Sequence, residues 1–252
     1  MRINGQRRIS TDAIVIIIVS AAVVYLASGS IAQKIVEGTA GNLLAGVMEI
    51  VLVGFVLSSF KMIGLARDGI RLQCLAGILA LIAVPAAGIS ITTFAMEFGL
   101  VNVIDGIAGQ AAAPDSALEL VLAILAFALV TPIAEELVFR GSFYGALAQR
   151  TGFPAAAVLS SIAFALVHGV GPMTLVAFFA GLALCAVYAI TDNLALCIFV
   201  HIVNNIFSLT GGFEIPAESL WFLIAGSAAA MVICLAALLK IARLVEERNI
   251  YQ

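Results

Sequence analysis

The chain has 252 residues, of which 63% are hydrophobic and only 11% charged, with a formal net charge of -3. A soluble domain of this length cannot hide so much apolar surface, because much of its own surface must still face water. A polytopic membrane protein follows, and with no basic, aromatic-rich patch there is no sign of nucleic-acid binding.

In chain order, spans of about 20 apolar residues are predicted at 13–32, 43–60, 72–95, 118–139, 154–169, 173–190, 194–210 and 219–241. The first follows Arg7-Arg8 but has no convincing cleavage site after it, so it reads as a retained span rather than a signal peptide. Glu49 stands alone in the second span, without an evident partner. The fourth and fifth spans form a helical hairpin with Thr151-Gly152-Phe153 at its turn, and Pro154 suits the first turn of the returning arm. Gly169-Val170-Gly171-Pro172 breaks the chain before the sixth span. Thr191-Asp192-Asn193 makes a tight turn before the seventh, which Gly211-Gly212 ends. Cys74, Cys185, Cys197 and Cys234 lie scattered in apolar stretches without CxxC spacing and read as small packing residues. Gly141 and Gly145 permit close helix approach. No repeat or low-complexity segment divides the chain, so residues 1–252 read as a single all-α transmembrane domain whose motif-bearing core spans 118–210.

With both termini inside, the inner segments hold Arg2, Arg7, Arg8, Lys61, Arg67, Arg71, Arg140, Arg150, Lys240, Arg243 and Arg248, and only Lys34 falls outside. The outer loops hold Glu97, Asp105, Asp115, Glu214 and Glu218 instead. This positive-inside asymmetry places both termini in the cytoplasm. High alanine content and compact loops suggest a bacterial plasma membrane.

Ionisable side chains are expensive in hydrocarbon and need a partner, a cavity or a function. Glu135 and His168 are equally far from the hairpin turn, so helical arms would set them at one height on facing helices. His201 and Asn205 share a face at i, i+4, as do Phe164 and His168. Glu136 and Arg140, also i, i+4, could simply neutralise one another at the cytoplasmic rim. A projecting hairpin with Arg150 at its tip would let His168 reach the level of His201. Chemically, an apolar surrounding makes a carboxylate a better proton acceptor for water. An imidazole beside it holds the water or shuttles the proton, while a second imidazole and a carboxamide donate to an oxyanion. Alternatively Glu135, His168 and His201 hold a divalent metal such as zinc, which acidifies bound water. The residues alone leave both mechanisms open.

Glu135-Glu136-x-x-x-Arg140, Phe164-x-x-x-His168 and His201-x-x-x-Asn205 resemble, in order, the three motifs of the CPBP intramembrane proteases, which include type II CAAX prenyl endopeptidases and relatives in bacteriocin processing or self-immunity. The resemblance implies an eight-helix fold and an endopeptidase acting on a membrane-associated peptide or protein, prenylated in some members. It implies that Glu135 and His168 activate water and that His201 and Asn205 stabilise the oxyanion. Glu136, Arg140 and Phe164 would be supporting residues. Metal-dependent and metal-free mechanisms are both proposed for such proteins. Two other readings compete with proteolysis: a non-proteolytic membrane scaffold or immunity protein, and a proton-coupled transporter relaying through Glu135, Glu49 and the histidines. The transporter ranks last, because no pair of broken helices recurs in matched halves.

Overall fold

A computed structural model describes residues 2–3, 6–7, 9–60, 62, 69–99, 116–209 and 219–250. The calls on Arg8, Lys61, Arg67, Asp105, Asp115, Gly211-Gly212, Glu214 and Glu218 lie outside them. A minimal antiparallel pair, β1 (Arg2–Ile3) and β2 (Gln6–Arg7), precedes an otherwise helical molecule. Ser10 caps α1 (Thr11–Ile35) by accepting from Ala13 N. Then follow α2 (Gly38–Ser59) and α3 (Ile70–Glu97).

The next apolar stretch, Ala117–Leu166, is 50 residues long and helical on both sides of a break at Gly152. It comprises α4 (Ala117–Ala123), a π-helical stretch Ile124–Val130, α5 (Thr131–Glu136), a second π-helical stretch Leu137–Tyr144, and α6 (Gly145–Leu166). Gly152, at φ 75° and ψ 174°, breaks α6 and turns the chain back on itself. Only glycine adopts that conformation readily. The expected hairpin and its turn are therefore present. Its register is visible one turn below the Glu135 level, where Phe139 and Phe164, also equidistant from the turn, pack with ring centroids 5.1 Å apart. Ser160 Oγ donates to Phe139 O across the arms at 2.8 Å.

Three further helices complete the bundle: α7 (Pro172–Thr191), α8 (Leu194–Leu209) and α9 (Leu220–Ile250). Six helical segments are long and apolar enough to cross a membrane, and α8 is a shorter apolar helix. Because Gly152 divides the 50-residue segment, the described residues supply the eight helical arms expected. The chain is a multi-pass, all-α membrane protein. Positive φ at Gly169 (86°) and Gly171 (156°) makes the break before α7, and Asp192 (φ 51°) makes the turn before α8.

The core forms where small residues let helices approach. A Cβ on Gly141 would lie 2.7 Å from Leu57 Cδ1, and one on Gly181 3.0 Å from Ser161 Cβ. Cys185, Cys197 and Cys234 are buried packing residues, Cys74 is exposed, and all four are free thiols.

One expected edge is corrected. The fourth span was to end at residue 139, with Arg140 in an inner segment and its pairing with Glu136 at the rim. The helix continues past it instead, and Arg140 and Glu136 both have no exposure at all. Their mutual charge and an aromatic ring replace water around them.

Candidate active site

The two π-helical stretches flank α5, which carries Glu135 and Glu136. A π turn moves each hydrogen bond to the fifth residue along, and such stretches recur at functional sites. Pro132 sharpens the effect, because it offers no N–H to the Phe127 carbonyl five residues before it. The neighbouring Thr131 N–H goes to Ala126 O. Asn205 Nδ2 fills the gap, donating to Phe127 O at 2.9 Å. One amide hydrogen thus anchors Asn205 to the π-helical stretch, and the second is left for another acceptor.

His201, one turn before Asn205 on α8, lies against both glutamates. Its Nδ1 is 2.8 Å from Glu136 Oε1, and its Nε2 is 3.6 Å from Glu135 Oε2, too long for a direct hydrogen bond. Glu136 Oε1 also meets Arg140 NH1 at 3.0 Å. A carboxylate so placed is an acceptor, which assigns the proton to His201 Nδ1 and directs Nε2 at Glu135. The ionic chain Arg140–Glu136–His201 fixes both the tautomer and the ring orientation. Arg140 has one further support: its guanidinium carbon sits 4.4 Å from the centroid of the Phe164 ring, an arrangement in which the ring quadrupole attracts the cation. Glu136 Oε2 and the Arg140 nitrogens have no hydrogen-bond partner of good geometry among the described residues.

His168 follows directly on α6, whose last helical residue is Leu166, and it is half-buried. Its Nδ1 lies 2.8 Å from Phe164 O. A carbonyl only accepts, so Nδ1 carries the hydrogen and Nε2 presents a lone pair. The Phe164 ring ties the cluster together. It lies 4.6 Å from His168, 5.8 Å from His201 and 5.1 Å from Phe139, each edge-on. Both histidines therefore belong to one cluster.

The expected neighbours are brought together in a different pairing. Glu135 was expected opposite His168, yet its contacts among the described residues are His201 and Tyr25, whose hydroxyl donates to Glu135 Oε1 at 3.3 Å. The reason is local. The arm stops two residues short of His168, and the side chain folds back on its own helix end. Sequence reading missed Tyr25 and the acceptor Phe127 O. Pro132 was the available signal for the latter. Glu49, without a partner in sequence, accepts from Ser28 Oγ of α1 in a short hydrogen bond. No group of three or more His, Cys, Asp or Glu side chains among the described residues is arranged to hold a metal ion. His201 Nδ1 bonds Glu136 while its Nε2 faces Glu135, and His168 turns Nδ1 to the backbone.

The site can take a proton from water at Glu135 or His168 Nε2 and return it. It can also offer N–H groups from Asn205 and His201 to a developing negative charge, provided that His201 Nε2 is protonated.

Every one of these motif residues falls inside residues 117–207, which match the family model of the type II CAAX prenyl endopeptidase Rce1-like proteins. A protein of Bacillus subtilis (strain 168), named "Putative membrane peptidase YdiL", is 35% identical over 86 residues. That similarity covers 34% of this chain and 35% of the relative, so the chain matches about a third of that protein's length. No solved structure matches the chain. The similarity to these peptidase-family proteins is thus confined to the motif-bearing segment, about a third of the chain.

Proposed function

We propose that this protein is an intramembrane endopeptidase that hydrolyses a peptide bond in a membrane-associated protein or peptide. One observation carries the reading. A carboxylate, an imidazole lone pair and a carboxamide N–H, on three separate stretches of an apolar bundle, are gathered within a segment that matches a peptidase family.

In the proposed reaction Glu135 accepts a proton from a water that His168 Nε2 orients. The resulting hydroxide attacks the peptide carbonyl carbon. Asn205 Nδ2–H and protonated His201 Nε2–H stabilise the oxyanion of the tetrahedral intermediate, and Glu136 with Arg140 keeps the His201 ring in place. Collapse breaks the C–N bond, and Glu135 returns its proton to the departing nitrogen. Water adds across the bond, and no group on the enzyme is altered at the end. No metal is required in this sequence. In a zinc-dependent alternative His201 Nε2, Glu135 and His168 would hold the ion while Glu136 keeps accepting from His201 Nδ1, and that alternative predicts loss of turnover on chelation with recovery on adding zinc.

We place the protein in a bacterial plasma membrane with both termini cytoplasmic. A prenylated segment is one form the substrate could take, and a short hydrophobic peptide is another.

The test compares protein termini in membranes of cells making the wild-type chain or Glu135→Gln at matched abundance. New termini confined to the wild type are expected, since losing a general base costs about 10²- to 10⁴-fold in rate. An identical set of termini, with both proteins folded, would count against proteolysis and favour the scaffold reading.

A further inference from the structure

Residues 117–207 hold every motif position, yet one contact to Glu135 comes from outside that segment. Tyr25, in the first helix, donates its hydroxyl hydrogen to Glu135 Oε1 at 3.3 Å. The two carboxylate oxygens thus face different neighbours, Oε1 the phenol and Oε2 the His201 ring. The tyrosine is held in three ways. Its ring packs edge-on against Phe139 with centroids 5.5 Å apart, and Phe139 in turn packs on Phe164, the ring shared by both histidines and Arg140. One turn along α1, Ser28 donates to the buried carboxylate of Glu49 on α2. Tyr25 O lies 3.1 Å from the same Ser28 hydroxyl, as a second acceptor for its one hydrogen. The Ser28–Glu49 contact fixes the rotation and height of α1 at the turn that presents Tyr25.

We propose that Tyr25 is a positioning residue for Glu135, and that α1 is a functional part of the site rather than a membrane anchor. The proposal rests on the endopeptidase reading given above. The phenol fixes the orientation of the Glu135 carboxylate and leaves the oxygen on the His201 side for water. Glu49 and Ser28 keep the phenol in register. This gives a use to a buried carboxylate that the reaction itself does not touch.

Tyr25→Phe removes the hydroxyl and keeps the ring that packs on Phe139. A hydrogen bond to a charged group is worth about 10- to 100-fold, and one as long as 3.3 Å stands at the lower end of that range. Tyr25→Phe should therefore lower kcat by roughly that factor, with KM changed by less than about two-fold and the thermal unfolding midpoint near that of the wild type. Ser28→Ala should lower kcat too, and should add little in the Tyr25→Phe background, because both act through one contact.

Infrared difference spectra supply a readout that needs no turnover. The carboxyl bands lost in Glu135→Gln identify Glu135, and repeating the subtraction in the Tyr25→Phe background reports whether its hydrogen bonding has changed. The proposal expects those bands to shift. Unmoved bands overturn it whatever happens to turnover, and so does an unchanged kcat in an enzyme that cleaves. Shifted bands in a protein whose wild type cleaves nothing uphold the contact and overturn the endopeptidase reading instead.

Discussion

Arg140 carries a full charge with no exposed surface, beside a carboxylate that is equally enclosed. Removing one member of such a pair leaves the other charge uncompensated, typically at a cost of about 3–5 kcal/mol. Arg140→Met should therefore lower stability by about that amount, whereas Arg140→Met combined with Glu136→Gln should recover much of it. Thermal unfolding in detergent across the cycle checks this, and additive losses would show that the pair is not coupled. The i, i+4 spacing of these two residues was legible in sequence, but their depth was not. Hydropathy reads an arginine as the end of a span, and the ring that neutralises part of its cost, Phe164, is contributed by the returning arm. The same blindness applied to His201. Its spacing to Asn205 was plain, while its pairing with Glu135 and Glu136 depends on how two distant helices dock.

At the scale of elements, the hairpin was legible because glycine, proline and the equidistant polar residues all marked it. Its turn is specified tightly. Gly152 has φ 75°, a Cβ there would come 3.0 Å from Glu246 Oε1, and that same oxygen accepts from Phe153 N at 2.6 Å. Gly152→Ala should destabilise by about 1–2 kcal/mol from the left-handed backbone alone, read as a lowered unfolding midpoint. No change would mean that the turn relaxes freely. The π-helical stretches were not legible, since hydrophobic periodicity does not distinguish a fifth-residue from a fourth-residue hydrogen bond over so short a length. Pro132 supplies a test of their role. Pro132→Ala restores an N–H for Phe127 O, which should release Asn205 and lower turnover by up to the roughly 10²- to 10³-fold typical of losing an oxyanion donor, without lowering stability. Unchanged turnover would mean that Asn205 does not depend on Phe127 for its position.

Across the whole molecule, three distant parts of the chain meet at one end of the bundle. Ile9 N donates to Gln149 Oε1 at 3.0 Å and Arg150 NH2 donates to Ile9 O at 3.0 Å, while Glu246 of the last helix caps the returning arm. The beginning of α1, the hairpin tip and the end of α9 therefore share one face, as an even number of crossings requires. At the α-helical rise Glu135 to Gly152 would span at most about 25 Å, somewhat less through the π-helical stretch, against about 12 Å from Asn193 to His201. Because Glu135 and His201 meet, the tip projects on the order of 10 Å beyond the Thr191–Asn193 turn. This is the projecting hairpin that the sequence required if the histidines were to gather in one place. With the native cysteines replaced, Arg150→Cys and Glu246→Cys should both react with an impermeant maleimide from the cytoplasmic side only. Labelling of the two from opposite sides would contradict the topology.

The account turns on Glu135 acting as the base in a peptide-bond hydrolysis. The most direct measurement is cleavage of a substrate identified from the membrane termini, by purified protein in proteoliposomes, with wild type and Glu135→Gln compared with and without a chelator. The account predicts cleavage by the wild type that survives the chelator, and a loss of about 10²-fold or more in Glu135→Gln, which should unfold at the wild-type temperature. Cleavage by Glu135→Gln at the wild-type rate would contradict it.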